Sequence, residues 1–336
     1  MADTRKREAS TPPPTLRKSK RARLLKDLYR KVSTIAEGQY GLVFKAVRKD
    51  KADAAPVALK KLKLGNVEEG FPVTALRELA ALRSLESPHV VRLLEVVVGE
   101  TMDEVYMVLE HHPLDLKVIL DAHGAGAFTS AQAKLLVWQL FSGLAFLHAS
   151  WLIHRDIKPA NLLYSADGRL VIADFGLVRP FGDPPPAVLT PTVVTLWYRA
   201  PELIFGEAAY NTAVDVWSAG AVTVELLTGE PLLRADSETA YVQKMCLLLG
   251  APSDAVWPGF SLLPGGSKYV LPAQRDSYLD DRLPDGTSLA GRRLISSMLT
   301  YDPAARLTAS DVVSADWFAE DPVKAAQWSM PSFRDR

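Results

Sequence analysis

Ile153-His154-Arg155-Asp156-Ile157-Lys158-Pro159-Ala160-Asn161 is followed, 12 residues later, by Asp174-Phe175-Gly176 and then by Ala200-Pro201-Glu202. The first stretch sets a carboxylate, an ammonium and an amide around a proline. Pro159 interrupts a helix, so Asp156, Lys158 and Asn161 are expected on a loop rather than in a buried helix. Upstream, Gly38-Gln39-Tyr40-Gly41-Leu42-Val43 reads as a turn between two strands. Glycines there would let main-chain N–H groups approach a bound anion with no Cβ in the way, although a glycine pair in a hairpin is more often just a turn. Val57-Ala58-Leu59-Lys60 reads as a strand, and Glu78 follows Lys60 18 residues later inside a helical run. By itself such a pair is more often a surface ion pair worth about 0–1 kcal/mol.

The hydrophobic period changes along the chain. From Val32 to Leu109 short β-type runs dominate (Leu42–Phe44, Val57–Leu59, Val96–Val98, Val105–Leu109), with one helix between them. That helix is expected to carry Pro72 in its first turn and to run through Leu82. Beyond Asp115 the pattern predicts long helices over roughly 129–149, 212–228, 237–249 and 290–299. The fold class expected is α+β, with a small β-rich lobe and a larger, mostly α lobe. The domains expected are a basic, disordered arm over 1–30, an N-lobe over 31–110, and a C-lobe over 111–320 with an irregular insertion at about 252–288. A C-terminal tail follows over 321–336.

Composition narrows the class. The 336 residues are 48% hydrophobic and 23% charged, ordinary for a globular chain and enough for two packed lobes. No apolar run nears the ~20 residues that span a bilayer, and no apolar core follows Arg5-Lys6-Arg7 as in a secretory leader. An intracellular protein without a membrane partner is expected. Cys246, the single cysteine, lies among Met245, Leu247, Leu248 and Leu249 and reads as a core residue. The six histidines and Cys246 lack zinc-ligand spacing. Residues 1–31 hold eleven Lys or Arg and three Asp or Glu, so that segment carries about +8 and the remainder about −8. Nuclear import or nucleic-acid contact through the arm, and a merely solvated tail, both fit.

Phosphoryl transfer needs a phosphate cradle, a cation, oxygen ligands for a divalent metal and a base beside the acceptor hydroxyl. Taken in order, the glycine turn, Lys60, the Asp156 loop, Asp174-Phe175-Gly176 and Ala200-Pro201-Glu202 match the protein-kinase signature set. The chain thus resembles a protein kinase from about residue 30 to about 320.

That resemblance implies ATP and Mg²⁺. Asp156 would be the base, Lys158 would steady the transferring phosphate, and Asn161 and Asp174 would hold the metal. Lys60 would contact the α- and β-phosphates, oriented by Glu78. Gly38 and Gly41 would cover the phosphates. Adenine would lie among Ile35, Val43, Ala58 and Leu163, bonded to the backbone of Glu110 and His112, with Asp115 at the rim and Leu109 as gatekeeper. Phe71-Pro72-Val73-Thr74-Ala75-Leu76-Arg77-Glu78 resembles the cyclin-contacting helix of the cyclin-dependent kinases, nearest the PITSLRE and PISSLRE variants of transcription and splicing. A cyclin bound through the helix near Leu76, and weak activity without it, are what this implies. Val193-Val194-Thr195-Leu196-Trp197-Tyr198-Arg199 is similar to the same group's substrate stretch, so Val193, Val194 and Arg199 imply protein substrates with proline after the phosphorylated Ser or Thr.

An upstream activating kinase would phosphorylate Thr190. The added charge of about −1.5 to −2 would be gathered by Arg77, Arg155 and Arg179. Tyr40 is the one inhibitory phosphosite expected in the glycine turn, since Gln39 stands where relatives carry threonine. Ala36 replaces the turn's usual first glycine, which would stiffen it. Glu202 and Arg306 resemble the family's buried pair, and Asp215 its aspartate bracing the catalytic loop. A nuclear enzyme is expected. A catalytically silent scaffold and a small-molecule kinase are the competing readings.

Overall fold

The computed structural model describes residues 24–333 except 39–40, 52, 63–71, 102–103, 183–195 and 274–275. The small lobe starts with a helical turn, α1 (Leu25–Leu28). An antiparallel sheet follows, built from β1 (Tyr29–Gly38), β2 (Gly41–Arg48) and β3 (Val57–Lys61), then helix α2 (Val73–Ser84), then β4 (Leu93–Val98) and β5 (Val105–Glu110). The strand order is β1-β2-β3-β5-β4.

Alternation along β5 shows how one sheet feeds two cores. Met107 joins the main hydrophobic core below, whereas Tyr106 and Val108 join a second cluster above with Leu25, Tyr29, Val57, Leu59 and Val97. Leu25 is buried there, and Leu24 forms a parallel bridge to Val98. Residues 24–30, placed by charge count in the arm, therefore belong to the small lobe. Leu24, Leu25 and Tyr29 supply an apolar face that the surrounding lysines and arginines hide in a composition count. Pro72 lies one residue before α2 rather than in its first turn, its carbonyl accepting from Leu76 N at 3.1 Å.

The large lobe begins with β6 (Leu114–Asp115), α3 (Leu116–His123) and α4 (Ser130–Ala149). The short strands β7 (Leu152–Ile153), β8 (Leu162–Tyr164), β9 (Leu170–Ile172) and β10 (Arg179–Pro180) follow, and then helices α5 (Pro201–Ile204), α6 (Ala213–Thr228), α7 (Glu238–Leu249), α8 (Leu289–Met298) and α9 (Ala309–Val313). The four long helices begin within one residue of their expected starts. Capping explains three of these: Thr129 and Gln132 form a capping box before α4, Ser237 caps α7, and Ser288 caps α8.

Helix α6 is buried from Ala213 to Leu226 and forms the lobe's axis. It ends at Gly229 (φ +77°), where a Cβ would collide with the Gly124–Ala125 backbone, so only glycine fits. Cys246 is fully buried, as its apolar neighbours require. Among its described residues the stretch 252–288 contains two single 3₁₀ turns, and its Trp257, Phe260 and Tyr269 close around Phe205 at ring distances of 6.0, 5.0 and 5.8 Å. Among the described residues no helix is long and apolar enough to cross a membrane.

Candidate active site

Register and helix phase bring the first pair together. β3 places Lys60 opposite Val43 and Met107, and α2 turns Glu78 inward while Val73 and Leu76 stay 58% and 50% exposed. Lys60 Nζ donates to Glu78 Oε1 at 2.6 Å and to Asp174 Oδ1 at 2.9 Å. Both members of the Lys60–Glu78 pair are buried, which separates it from the surface pair the spacing also allowed. Burial alone would lower the Lys60 pKa, but Asp174 and Glu78 outweigh it and hold the ammonium charged. Burial, with a smaller push from Asp174, raises Glu78 above the usual carboxylate range even beside the lysine. One cation thus serves two carboxylates.

The loop that carries Asp156 is held in an unusual shape. Arg155 and Asp174 sit at φ +69° and +61°, left-handed conformations that cost a non-glycine residue about 1–2 kcal/mol. Asp215, fully buried in the first turn of α6, holds the first: Oδ1 accepts from Arg155 N at 2.7 Å, and Oδ2 from His154 N at 2.8 Å. His148 Nε2 lies 3.0 Å from the same Oδ2. Burial opposes the charge on Asp215, but the hydrogen bond and charge of His148 hold its pKa below the ordinary value. His154 packs edge-on against Phe175 and bonds Ala173 O at 3.0 Å, tying this loop to the Asp174 turn.

Asp156, only 2% exposed, is bonded asymmetrically. Its Oδ2 accepts from Lys158 Nζ at 2.9 Å and from Asn161 Nδ2 at 2.8 Å, while Oδ1 has no hydrogen-bond partner among the described residues. A second bond from Asn161 Nδ2 to Asp156 O, also 2.8 Å, fixes the amide. The carbonyl end of Asn161 is thereby left to accept a cation. Asn161 and Asp174 offer the hard oxygen donors Mg²⁺ prefers, next to a lysine already shared by two carboxylates, so the residues fit that ion. No cluster of three or more His, Cys, Asp or Glu among the described residues could hold a metal without help. Phosphate oxygens would complete the shell.

A cavity of about 300 Å³ lies beside these groups. Ile35, Gly41, Val43, Ala58, Lys60, Leu109, Glu110, His112, Asp115 and Leu163, each expected around a nucleotide, line it. Gly41 (φ +124°) faces the Lys61 carbonyl so closely that a Cβ would clash at 2.8 Å, so the turn needs glycine there for backbone reasons alone. Gly38 pairs with Gly41 across the hairpin. Asp115 also caps α3, accepting from Val118 N at 2.9 Å. The ring of His112 is buried, with Nε2 unpartnered among the described residues, and burial lowers its pKa. Sequence reading missed Leu82, Val91, Ala160 and Ala173 in this wall. Leu82 follows Glu78 by one helical turn, a signal that could have found it; Val91 carried none.

The three arginines converge. Burial, then the charges of Arg155 and Arg77, lower the Arg179 pKa. Arg155 also bonds Leu177 O at 2.7 Å and Tyr210 OH at 2.6 Å, and none of the three makes an ion pair among the described residues. An unneutralised cationic cluster of this kind suits a phosphate. Arg199 pairs with Glu238 at 3.1 Å. Thr190, Tyr40, Val193 and Val194 lie outside the described residues. Glu202 and Arg306 form a fully buried two-pronged pair at 2.7 and 3.0 Å.

The protein kinase domain family matches residues 29–318. A probable cyclin-dependent kinase 10 of Dictyostelium discoideum is 41% identical over 91% of this chain and 82% of its own length. Human cyclin-dependent kinase 10 is 40% identical over 93% of this chain and 85% of its own. The rice (Oryza sativa subsp. indica) cyclin-dependent kinase G-2 is 40% identical over 91% of this chain, which spans only 44% of that longer relative.

Proposed function

Because the chain belongs to the protein kinase family, and within it to the cyclin-dependent kinases, we propose that it transfers the γ-phosphoryl group of ATP to Ser or Thr followed by proline, stimulated by a cyclin. The observation that carries this reading is the asymmetry of Asp156, with one oxygen held by Lys158 and Asn161 and the other buried and unpartnered. That free oxygen suits the acceptor of a substrate hydroxyl proton. As the proton moves to Asp156, the hydroxyl oxygen bonds the γ-phosphorus, the bond from phosphorus to the β–γ bridging oxygen breaks, and ADP leaves. Lys60, held charged by its two carboxylates, would contact the α- and β-phosphates, and Lys158 would steady the moving group. Asn161 and Asp174 would hold Mg²⁺, which when bound neutralises phosphate charge.

Val73 and Leu76 provide an exposed apolar strip on the helix that carries Glu78, which suits a cyclin whose docking seats Glu78 against Lys60. Phosphate on Thr190, added by an upstream kinase, would find Arg77, Arg155 and Arg179 already gathered. A nuclear location rests on the basic segment before Leu24. The test is phosphorylation of a Ser-Pro peptide library with Mg-ATP, with and without cyclins, beside Asp156→Asn. We expect cyclin-stimulated, proline-dependent transfer that the substitution lowers about 10²–10⁴-fold. Mg-ATP binding with no transfer under any cyclin would refute the reading.

A further inference from the structure

Residues 325–333, after α9, pack back against the large lobe. They run along the far side of the small sheet β6-β8-β9, whose near side floors the nucleotide cavity. On β8, Leu163 lines that cavity, and its neighbour Tyr164 is 1% exposed and faces the opposite way. Tyr164 OH donates to Pro331 O at 2.7 Å. Its ring forms an aromatic trio with Phe128 and Phe333, at centroid distances of 5.8, 5.5 and 5.6 Å. His123 closes the cluster 5.3 Å from Phe333.

A second line of contacts reaches the lobe connector. Gln327 Nε2 donates to Asp167 O and Oδ2 at 3.3 and 3.4 Å. Asp167 pairs with Arg169 Nε at 2.8 Å, and Arg169 NH2 lies 3.7 Å from Glu110 Oε1 in the cavity wall. Between the two lines, Met330 packs where a Cβ at Gly168 (φ +80°) would collide with it. Ala325 N bonds Ala131 O at 2.8 Å, and Gln132 Nε2 bonds Ser329 O at 3.1 Å, anchoring the segment to the start of α4.

We propose that residues 325–333 are a strap that sets nucleotide affinity, with Phe333 and Gln327 as positioning residues acting through Tyr164 and Leu163 on the floor and through Asp167, Arg169 and Glu110 on the connector. This rests on the reading of the cavity as an ATP site. The strap's contacts reach the back of the floor on which a planar base would stack and, through Arg169, the connector along that base's edge, so loosening it lets floor and connector shift without touching Lys60, Asp156 or Asp174.

The test uses the full chain carrying Phe333→Ala, Gln327→Ala, both together, Phe333→Leu, and Val312→Ala as a control. Val312 is a fully buried residue of α9 in the main core, whose truncation lowers stability away from the strap. Mg-ATP dissociation is measured directly, together with KM for ATP and peptide and the melting temperature. Phe333→Ala should weaken Mg-ATP binding about three- to tenfold, the double variant more, with peptide KM within about twofold. Phe333→Leu should recover most of the affinity, and Val312→Ala should lower the melting temperature at unchanged affinity. Unchanged Mg-ATP affinity in the double variant overturns the strap, as does an equal loss in Val312→Ala. If the unaltered chain binds Mg-ATP and the strap variants weaken it while no transfer occurs, the strap stands and the proposed function falls. If the unaltered chain binds no Mg-ATP, both fall.

Discussion

Asp215→Asn should separate the shape of the Asp156 loop from the chemistry proposed for it. The carboxylate accepts from two main-chain N–H groups, at 2.7 and 2.8 Å, and faces His148 Nε2 at 3.0 Å. An amide retains one acceptor oxygen and turns a donor toward whichever N–H the other oxygen served. Losing one hydrogen bond to a charged group costs about 1.5–3 kcal/mol. The bond lost also helps keep Arg155 at φ +69°, a conformation whose relaxation would itself release about 1–2 kcal/mol. The next residue is Asp156, so a loop that relaxes moves the proposed base. If most of the lost bonding energy appears in the transition state, kcat/KM falls about 10–100-fold. Steady-state phosphorylation of a Ser-Pro peptide measures this, and KM for ATP should stay within about threefold because Lys60 and the cavity wall are untouched. A folded Asp215→Asn chain with kcat/KM within twofold of the parent would refute the reasoning.

Arg306→Met removes five hydrogen bonds from a fully buried guanidinium, to both oxygens of Glu202 and to Ala213, Tyr301 and Thr300 carbonyls. It should destabilise the chain by about 3–5 kcal/mol in urea unfolding, and adding Glu202→Met should recover a good part of this because the uncompensated charge is gone; a loss below about 1 kcal/mol for the single change would count against it. Burial raises the Glu225 carboxyl, bonded to Tyr198 OH at 2.7 Å, from 4.5 to about 7. Since the folded state holds this proton more tightly, the contribution is fully present below about pH 4.5 and is lost as pH rises through 7, with a slope of at most about 1.4 kcal/mol per pH unit. Unfolding free energies at several pH values between 4.5 and 8 should lose that slope in Glu225→Gln, and an unchanged slope would reject the assignment.

The sequence by itself determined the secondary structure that carries the site and the order of its chemical groups. Helix and strand periods are local, set by which face of each segment is apolar, so α4, α6 and α7 were legible to within a residue of where they begin. The Asp156 loop and the Asp174 turn were legible because their residue types admit few alternatives in that order. Tertiary structure alone decided what depends on contacts between segments far apart in the chain. The spacing of Lys60 and Glu78 alone also fitted a surface pair, until packing buried both and brought Asp174 to the same ammonium. Val91 entered the cavity wall with no mark in its neighbours. Residues 24–30 passed for part of a solvated arm because charge is counted along the chain, whereas burial is decided by the sheet face that Leu25 and Tyr29 meet. The tail's grip on Tyr164 joins residues 167 positions apart, a separation over which no local period carries information.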